Sequence, residues 1–362
     1  MTPDQITQLR LHNLQITAHQ FSSPGELLQH MGAMQAQEYA NALWAIAVRL
    51  PGFTRQQVEQ AIEDRQIVRT WPMRGTIHFV PAEDAKWMVQ LMAPKVLSSS
   101  AARRRQLNLT NEFVDEYQKV VVNALKGGVI MTRKELVELL SGRGIETGGQ
   151  RGIHILWELA ARGVLCFGPY RGKQPTFVLL DEWVPHSKQL THDEACLQMV
   201  RWYFTSHGPA TIKDFTAWTR LTVRETKTAL TQLDNLLEST SVDGAEYWFA
   251  KSAHMPQRQS PDVQLLPAFD EYMIGYRDRS AMLEAAHASK VVPGGNGVFL
   301  PIIVVNGQIR GTWKRTQTAK KATITLLPFT KLSSAELASA TQIAKRYGTF
   351  VGLPVEVGLG IQ

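Results

Sequence analysis

Apolar residues fall at helical spacing between Asp4 and His19 (Ile6, Leu9, Leu14 and Ile16), which predicts an amphipathic N-terminal helix. Ser23-Pro24-Gly25-Glu26 predicts the start of a second helix, with Ser23 as N-cap, Pro24 in the first turn and Glu26 closing a capping box. Leu43, Trp44, Ile46 and Ala47 mark a third, and Thr54 with Gln57 caps a fourth. From Ile67 to Val80 the pattern turns strand-like and is broken by Pro72 and Gly75, which predicts a hairpin. Pro81 to Asp84 opens another helix.

The same order recurs twice. Asn111 to Leu125 is amphipathic, Thr132 with Glu135 caps the next helix, and a third runs from Gly148-Gly149 to Gly163. Val164 to Leu180 then reads as strand, turn, strand. Helical patterns at 192–206, 211–218 and 222–236 follow, and Asp243-Gly244 predicts a type I′ hairpin. Glu135 and Asp214 place the second and third copies about 80 residues apart. Beyond residue 260 the pattern changes to strand-like runs at 263–266, 298–305, 309–313, 322–327 and 354–357, with a turn at Asn306-Gly307 and one helix, 334–347. The expectation is an α+β fold of four segments. Tandem winged helix-turn-helix domains occupy 1–105, 106–190 and 191–256, and a C-terminal β-barrel-like, mostly β domain occupies 257–362.

Composition narrows the class. The 362 residues are 44% hydrophobic and 20% charged, which excludes a disordered or collagen-like chain. No apolar run of membrane-spanning length occurs and the N-terminus lacks a signal-peptide core, so a cytoplasmic location is expected. Cys166 and Cys196 read as free thiols in a reducing compartment. Lys and Arg number 39 against 32 Asp and Glu, a net +7, which favours an anionic partner.

Catalytic signatures are sparse. There is no Walker A motif, HExxH, paired CxxC or GxSxG, and Gly294-Gly295-Asn296-Gly297 reads as a loop. No metal or organic cofactor is expected. The first hairpin carries Arg69, Arg74 and His78 around Trp71, which fits phosphate and backbone contact or a charge-guarded edge strand. Arg151, His154, Glu158 and Arg162 line one side of a helix, as on a recognition helix or any polar helix face. Arg220, Arg224 and Lys227 have the same standing, and Arg103-Arg104-Arg105 reads as a solvated linker or a backbone clamp.

The most informative stretch is Gly32-Ala33-Met34-Gln35-Ala36-Gln37-Glu38-Tyr39, followed by Ala42-Leu43-Trp44-Ala45. It resembles the AlkZ/YcaQ-type winged-helix DNA glycosylases, whose mark is Gln-Φ-Gln or Gln-Φ-Asp, where Φ is apolar. Three further stretches resemble the same family: Arg74 to His78; Leu265 to Tyr272 running into Gly275-Tyr276-Arg277-Asp278-Arg279; and Gly307 to Trp313. The resemblance implies tandem winged helices with a C-terminal β-barrel, and hydrolysis of the N-glycosidic bond of alkylated purines in double-stranded DNA. Gln37 stands where the YcaQ-like branch carries Asp, so the chain resembles the AlkZ-like branch, which implies a narrower substrate than cross-links in general.

On that reading Gln35 and Gln37 are the catalytic pair. Arg69, Arg74, His78, Arg277 and Arg279 contact DNA, and the protein acts as a monomer. A non-catalytic winged-helix transcription regulator is the alternative; it needs the fold but neither glutamine. Chemistry adds one geometric requirement. Residues i and i+2 diverge by about 200° on a helix, so two cooperating glutamines need extended backbone, which Gly32 permits by ending the preceding helix.

Overall fold

Capping side chains set most helix starts in the computed structural model, which describes residues 1–255, 261–295 and 297–360. Helix α1 (Pro3–Asn13) begins at a Thr2–Gln5 capping box. It ends six residues short of the predicted His19, because Gln15 and His19 take left-handed φ of 61° and 52°. Leu14 and Ile16 are buried in that turn, not on a helix face. In α2 (Pro24–Met31), Ser23 caps as expected, while Glu26 reaches the backbone and hydroxyl of Ser22.

A two-residue strand β1 (Met34–Gln35) leads to α3 (Tyr39–Arg49) and α4 (Arg55–Glu63), then to the hairpin of β2 (Ile67–Met73) and β3 (Thr76–Pro81). Next come α5 (Ala85–Ser99), α6 (Ala101–Gln106), α7 (Asn111–Leu125), β4 (Met131–Thr132), α8 (Arg133–Gly142) and α9 (Arg151–Ala161). The second hairpin, β5 (Leu165–Arg171) and β6 (Gln174–Leu179), precedes α10 (Leu180–Trp183) and α11 (His192–Ser206). Helices α12 (Ile212–Thr219) and α13 (Val223–Leu230) lead to the hairpin β7 (Leu237–Val242) and β8 (Ala245–Ala250). Asp243 and Gly244 at its tip have φ of 49° and 77°, as a type I′ turn needs.

The remainder is β9 (Val263–Leu266), α14 (Glu271–Ile274), α15 (Ala288–Val291), β10 (Ile302–Val305), β11 (Gln308–Gln317), β12 (Ala322–Pro328), α16 (Ser334–Val351) and β13 (Val355–Leu359). The fold is mixed α+β. Among the described residues, no helix is long and apolar enough to cross a membrane.

The chain divides into two compact units, one holding Met1–Val58 with Cys196–Gln362, the other Glu59–Ala195. The cut at 58/59 passes through the first of the four expected segments. The expected boundary at 256/257 lies outside the described residues.

In the Glu59–Ala195 unit the first two hairpins share one antiparallel sheet, ordered β3-β2-β5-β6-β4. Strand β2 is therefore interior, joined to β5 through the Arg69–Phe167 pair. Trp71 stacks on Phe167 with ring centroids 4.5 Å apart. Helices α5 and α9 pack against β2, and Cys166 on β5 is a buried free thiol whose pKa burial pushes up.

In the other unit, β13-β12-β11-β10-β9 form one sheet. It is open: β9 and β13 are its two edges, so the barrel-like closure expected from the sequence is absent. The cause is visible in the connection. Parallel β12 and β13 need a crossover, and α16 supplies it while packing against both β9 and β13. Its Tyr347 and Phe350 meet Trp44 of α3 at 5.1 and 5.2 Å. Trp218, Trp313, Tyr203, Tyr272, Tyr276, Phe204 and Phe215 are fully buried; burying one such side chain stabilises by roughly 2–3 kcal/mol.

Candidate active site

The Gln-Ala-Gln motif lies just beyond α2. Gly32 ends that helix at φ 72°, and a Cβ there would come within 2.8 Å of the Trp202 ring, so glycine is required on two counts. The chain then runs extended through β1. Ala36 is buried, Gln35 half-buried and Gln37 exposed. The strand is Met34–Gln35, and Gln37 is exposed in the bend that leads into α3.

A buried carboxylate anchors the motif. The Gln35 backbone N–H donates to Glu271 Oε1 at 2.8 Å. Glu271 Oε2 accepts from Trp218 Nε1–H at 3.0 Å and lies 3.4 Å from His207 Nε2. Glu271 is 1% exposed and His207 fully buried. Burial lowers the His207 pKa, against a smaller raising effect of Glu271. Ser206 donates its hydroxyl to Trp202 O at 2.7 Å, so at 2.7 Å from His207 its Oγ accepts from Nδ1–H. Tyr203 stacks on the imidazole at 4.7 Å and donates its hydroxyl to Gly275 O. The Gln35 anchor uses the backbone, so the side-chain amide is not consumed by it.

Asp270, the neighbouring acid, makes a bidentate pair with Arg49 at 2.8 and 2.9 Å, with both side chains fully buried. It also caps α14 through Tyr272 N–H. Arg49 further donates to Leu14 O and Ala45 O. Asp214 accepts from the backbone of Arg277 and Asp278 at 2.8 and 3.2 Å. The Leu265-to-Arg279 stretch singled out in the sequence is thus the clamp that fixes β1, α3 and α12 in this unit. Sequence reasoning assigned no role to Asp270, Glu271 or His207. A signal existed: two adjacent acids inside an apolar run must find donors once buried.

Arg69, Arg74 and His78 lie in the other unit. Arg69 is 5% exposed, lies over the Phe167 ring at 4.3 Å, and reaches Tyr170 Oη at 3.2 Å. His78 has no exposed surface. Its Nδ1–H donates to Thr76 O at 3.0 Å, which leaves Nε2 to accept from Arg74 Nη2 at 3.3 Å. Phosphate contact was expected of Arg69 and Arg74 and a bond to a backbone oxygen of His78; Arg69 and His78 are buried, and Arg74 is half-buried at the hairpin tip with φ 56°. Interior pairing of β2 is the reason for Arg69 and removes the edge-strand alternative for that strand, while His78 is buried on β3. Arg277 is exposed; Arg279 is half-buried, its Nε–H donating to Met273 O at 2.7 Å.

Of the other basic groups, Arg103 and Arg104 lie in α6 and are tied to α9. Arg104 binds Glu158, and Arg103 meets Gln150 and His154. They are neither linker nor open clamp.

The family model for "DNA glycosylase AlkZ-like" matches residues 28–350. A curated relative from Streptomyces sahachiroi, described as an interstrand DNA cross-link repair glycosylase, is 28% identical over 310 residues, covering 81% of this chain and 82% of the relative. The solved structure of Streptomyces sahachiroi DNA glycosylase AlkZ superposes with a TM-score of 0.79 at 24% identity, covering 99% of each chain. The motif, its buried anchor and the family match agree: the chain belongs to the AlkZ-like DNA glycosylase family.

Proposed function

We propose that this DNA glycosylase hydrolyses the N-glycosidic bond of cationic N-alkylated purines in duplex DNA, with Gln35 and Gln37 orienting the attacking water. The observation that supports the reading is the short extended strand Met34–Gln35 just beyond Gly32, held at the Gln35 backbone by Glu271.

An N7-alkylated purine already bears the positive charge that a general acid would otherwise supply. When C1′–N9 breaks, the bonding pair goes to the base, which leaves neutral. Water adds to C1′ and its proton passes to solvent. A glutamine carbonyl accepts a hydrogen bond from that water and presents the negative end of its dipole to the oxocarbenium-like sugar. It is too weak a base to serve neutral nucleobases. The chemistry calls for no metal, organic cofactor or Schiff-base lysine.

In this reading the segments 1–105, 106–190 and 191–256 act as tandem winged helices, and 257–362 supports the motif through Glu271. The protein binds as a monomer. Arg74, positioned by His78, contacts the DNA backbone together with Arg277, Arg279 and the exposed face of α13, while Arg69 supports the hairpin from inside.

The test is base release from a duplex with one N7-methylguanine, corrected for spontaneous depurination. Wild type releases the base. Gln35→Ala/Gln37→Ala loses about 10²-fold and keeps duplex affinity, and neither protein releases uracil or hypoxanthine. Equal release by both proteins would sink the glutamine mechanism. Binding without any release would favour the regulator.

A further inference from the structure

The His207 ring is held in one orientation. Tyr203 stacks on it at 4.7 Å with an interplanar angle of 11°, and the Trp218 ring centroid lies at 5.1 Å. Gly275, at the end of α14, is pressed against the ring edge, where a Cβ would come within 2.8 Å of Cδ2. Nδ1 is thereby turned to Ser206 and Nε2 to Glu271.

Hydrogen-bond accounting then places the protons. The Ser206 hydroxyl donates to Trp202 O, so the Ser206–His207 contact takes its proton from Nδ1. A neutral imidazole carries one N–H, which leaves Nε2 with a lone pair. That lone pair faces Glu271 Oε2 at 3.4 Å, with Glu271 1% exposed and His207 0%. A lone pair and an ionised carboxyl oxygen repel when water is excluded, and one further proton between them makes a hydrogen bond instead. Arg49, the guanidinium whose charge reaches His207, is spent bidentately on Asp270.

We propose that His207 and Glu271 hold one buried proton between Nε2 and Oε2, and that through it His207 is a positioning residue for Gln35. Oε2 then accepts from Trp218 Nε1–H and shares the proton with Nε2, while Oε1 accepts from the Gln35 backbone N–H. The pair has no net charge, as burial favours. Burial also holds the His207 pKa down, which sets the proton towards Glu271. The Glu271 carboxyl group becomes a neutral clamp on the strand Met34–Gln35. His207 has no exposed surface and acts only through Glu271. The role in catalysis rests on the reading that Gln35 orients the attacking water; the shared proton does not.

The first experiment is ¹⁵N NMR of the full chain labelled at histidine, with the His207 signals assigned by their loss in His207→Gln. The expected result is a proton on Nδ1 and an Nε2 that either accepts a hydrogen bond or bears a second proton. A proton on Nε2 with Nδ1 bare overturns the proposal, because Glu271 is then an ordinary acceptor. So does an Nε2 lone pair without a hydrogen bond. The second experiment is single-turnover release of N7-methylguanine, with duplex affinity measured alongside. His207→Phe keeps the ring stack but loses both nitrogens, and is expected to release base about tenfold more slowly at unchanged affinity. His207→Gln, whose amide donates to an ionised Glu271, recovers most of that loss. Equal rates for wild type and His207→Phe, or equal losses in the two variants, overturn the positioning role. If NMR shows the proton while Gln35→Ala/Gln37→Ala releases base as fast as wild type, the pair stands and the glutamine mechanism falls.

Discussion

Helices α9 and α13 occupy the same place in successive helix–helix–hairpin blocks, and both carry basic residues at helical spacing. Their surroundings differ. Glu158 of α9 is fully buried and accepts from Arg104 Nη2 at 3.0 Å and Arg162 Nη2 at 2.9 Å. Arg151 donates to Leu107 O and Glu146 O, and His154 lies 3.5 Å from Arg103. The polar side of α9 is therefore internal to its unit. On α13, Arg224 and Lys227 are exposed, as is Arg220 in the preceding turn, and among the described residues none of the three makes an ion pair. The hairpin beside α13 carries exposed Glu238, Asp243 and Glu246, so the positive charge of this block lies on the helix and not on the hairpin. A repeated pattern of charges does not carry a repeated role. Whether a neighbouring element consumes the charges decides it.

The largest effect is expected from breaking the α9 cluster. Glu158→Leu leaves Arg104 and Arg162 facing each other without their shared carboxylate, and should cost about 3 kcal/mol, the lower end for a broken buried pair because both arginines keep partial solvent contact. A lower urea midpoint at unchanged slope would show it, and an unchanged midpoint would mean the cluster is as solvated as an ordinary surface.

Charge reversal on α13 acts on binding instead. Arg224→Glu/Lys227→Glu should leave the urea midpoint unchanged. It should reduce the dependence of log K on log salt by about two counterions for undamaged duplex. Arg151→Ala, on α9, should do the reverse and lower the midpoint with the salt slope intact. Equal slopes for all three proteins would erase the distinction between the helices.

The smallest effect is with pH. Burial, with a lesser contribution from Arg103, lowers the His154 pKa below its ordinary value. The unfolded chain therefore takes up the proton first as pH falls through about 6.5, and the native state loses stability in that window. His154→Gln should shrink the fall in melting temperature between pH 7 and 5 slightly. A larger fall in the variant would reverse the assigned sign.

Much of this protein is legible along the chain. Local signals depend on near neighbours, so the caps at Ser23, Thr54 and Thr132 and the turns at Asp243-Gly244 and Asn306-Gly307 appear where the sequence puts them. Gly32 as the stop of α2 before the strand Met34–Gln35 was equally readable, since a helix end at a glycine of positive φ is a local property. The sequence by itself determined the α+β element order and the family. Tertiary structure alone decided the rest, because those features are pairings between distant residues. The Arg69–Phe167 register buried β2 and took Arg69 away from solvent. The α16 crossover left the last sheet open. Glu271 met Gln35 across 236 residues. Such pairings are selected by burial and by the cost of leaving a buried polar group without a partner, and no local spacing encodes which distant partner satisfies it.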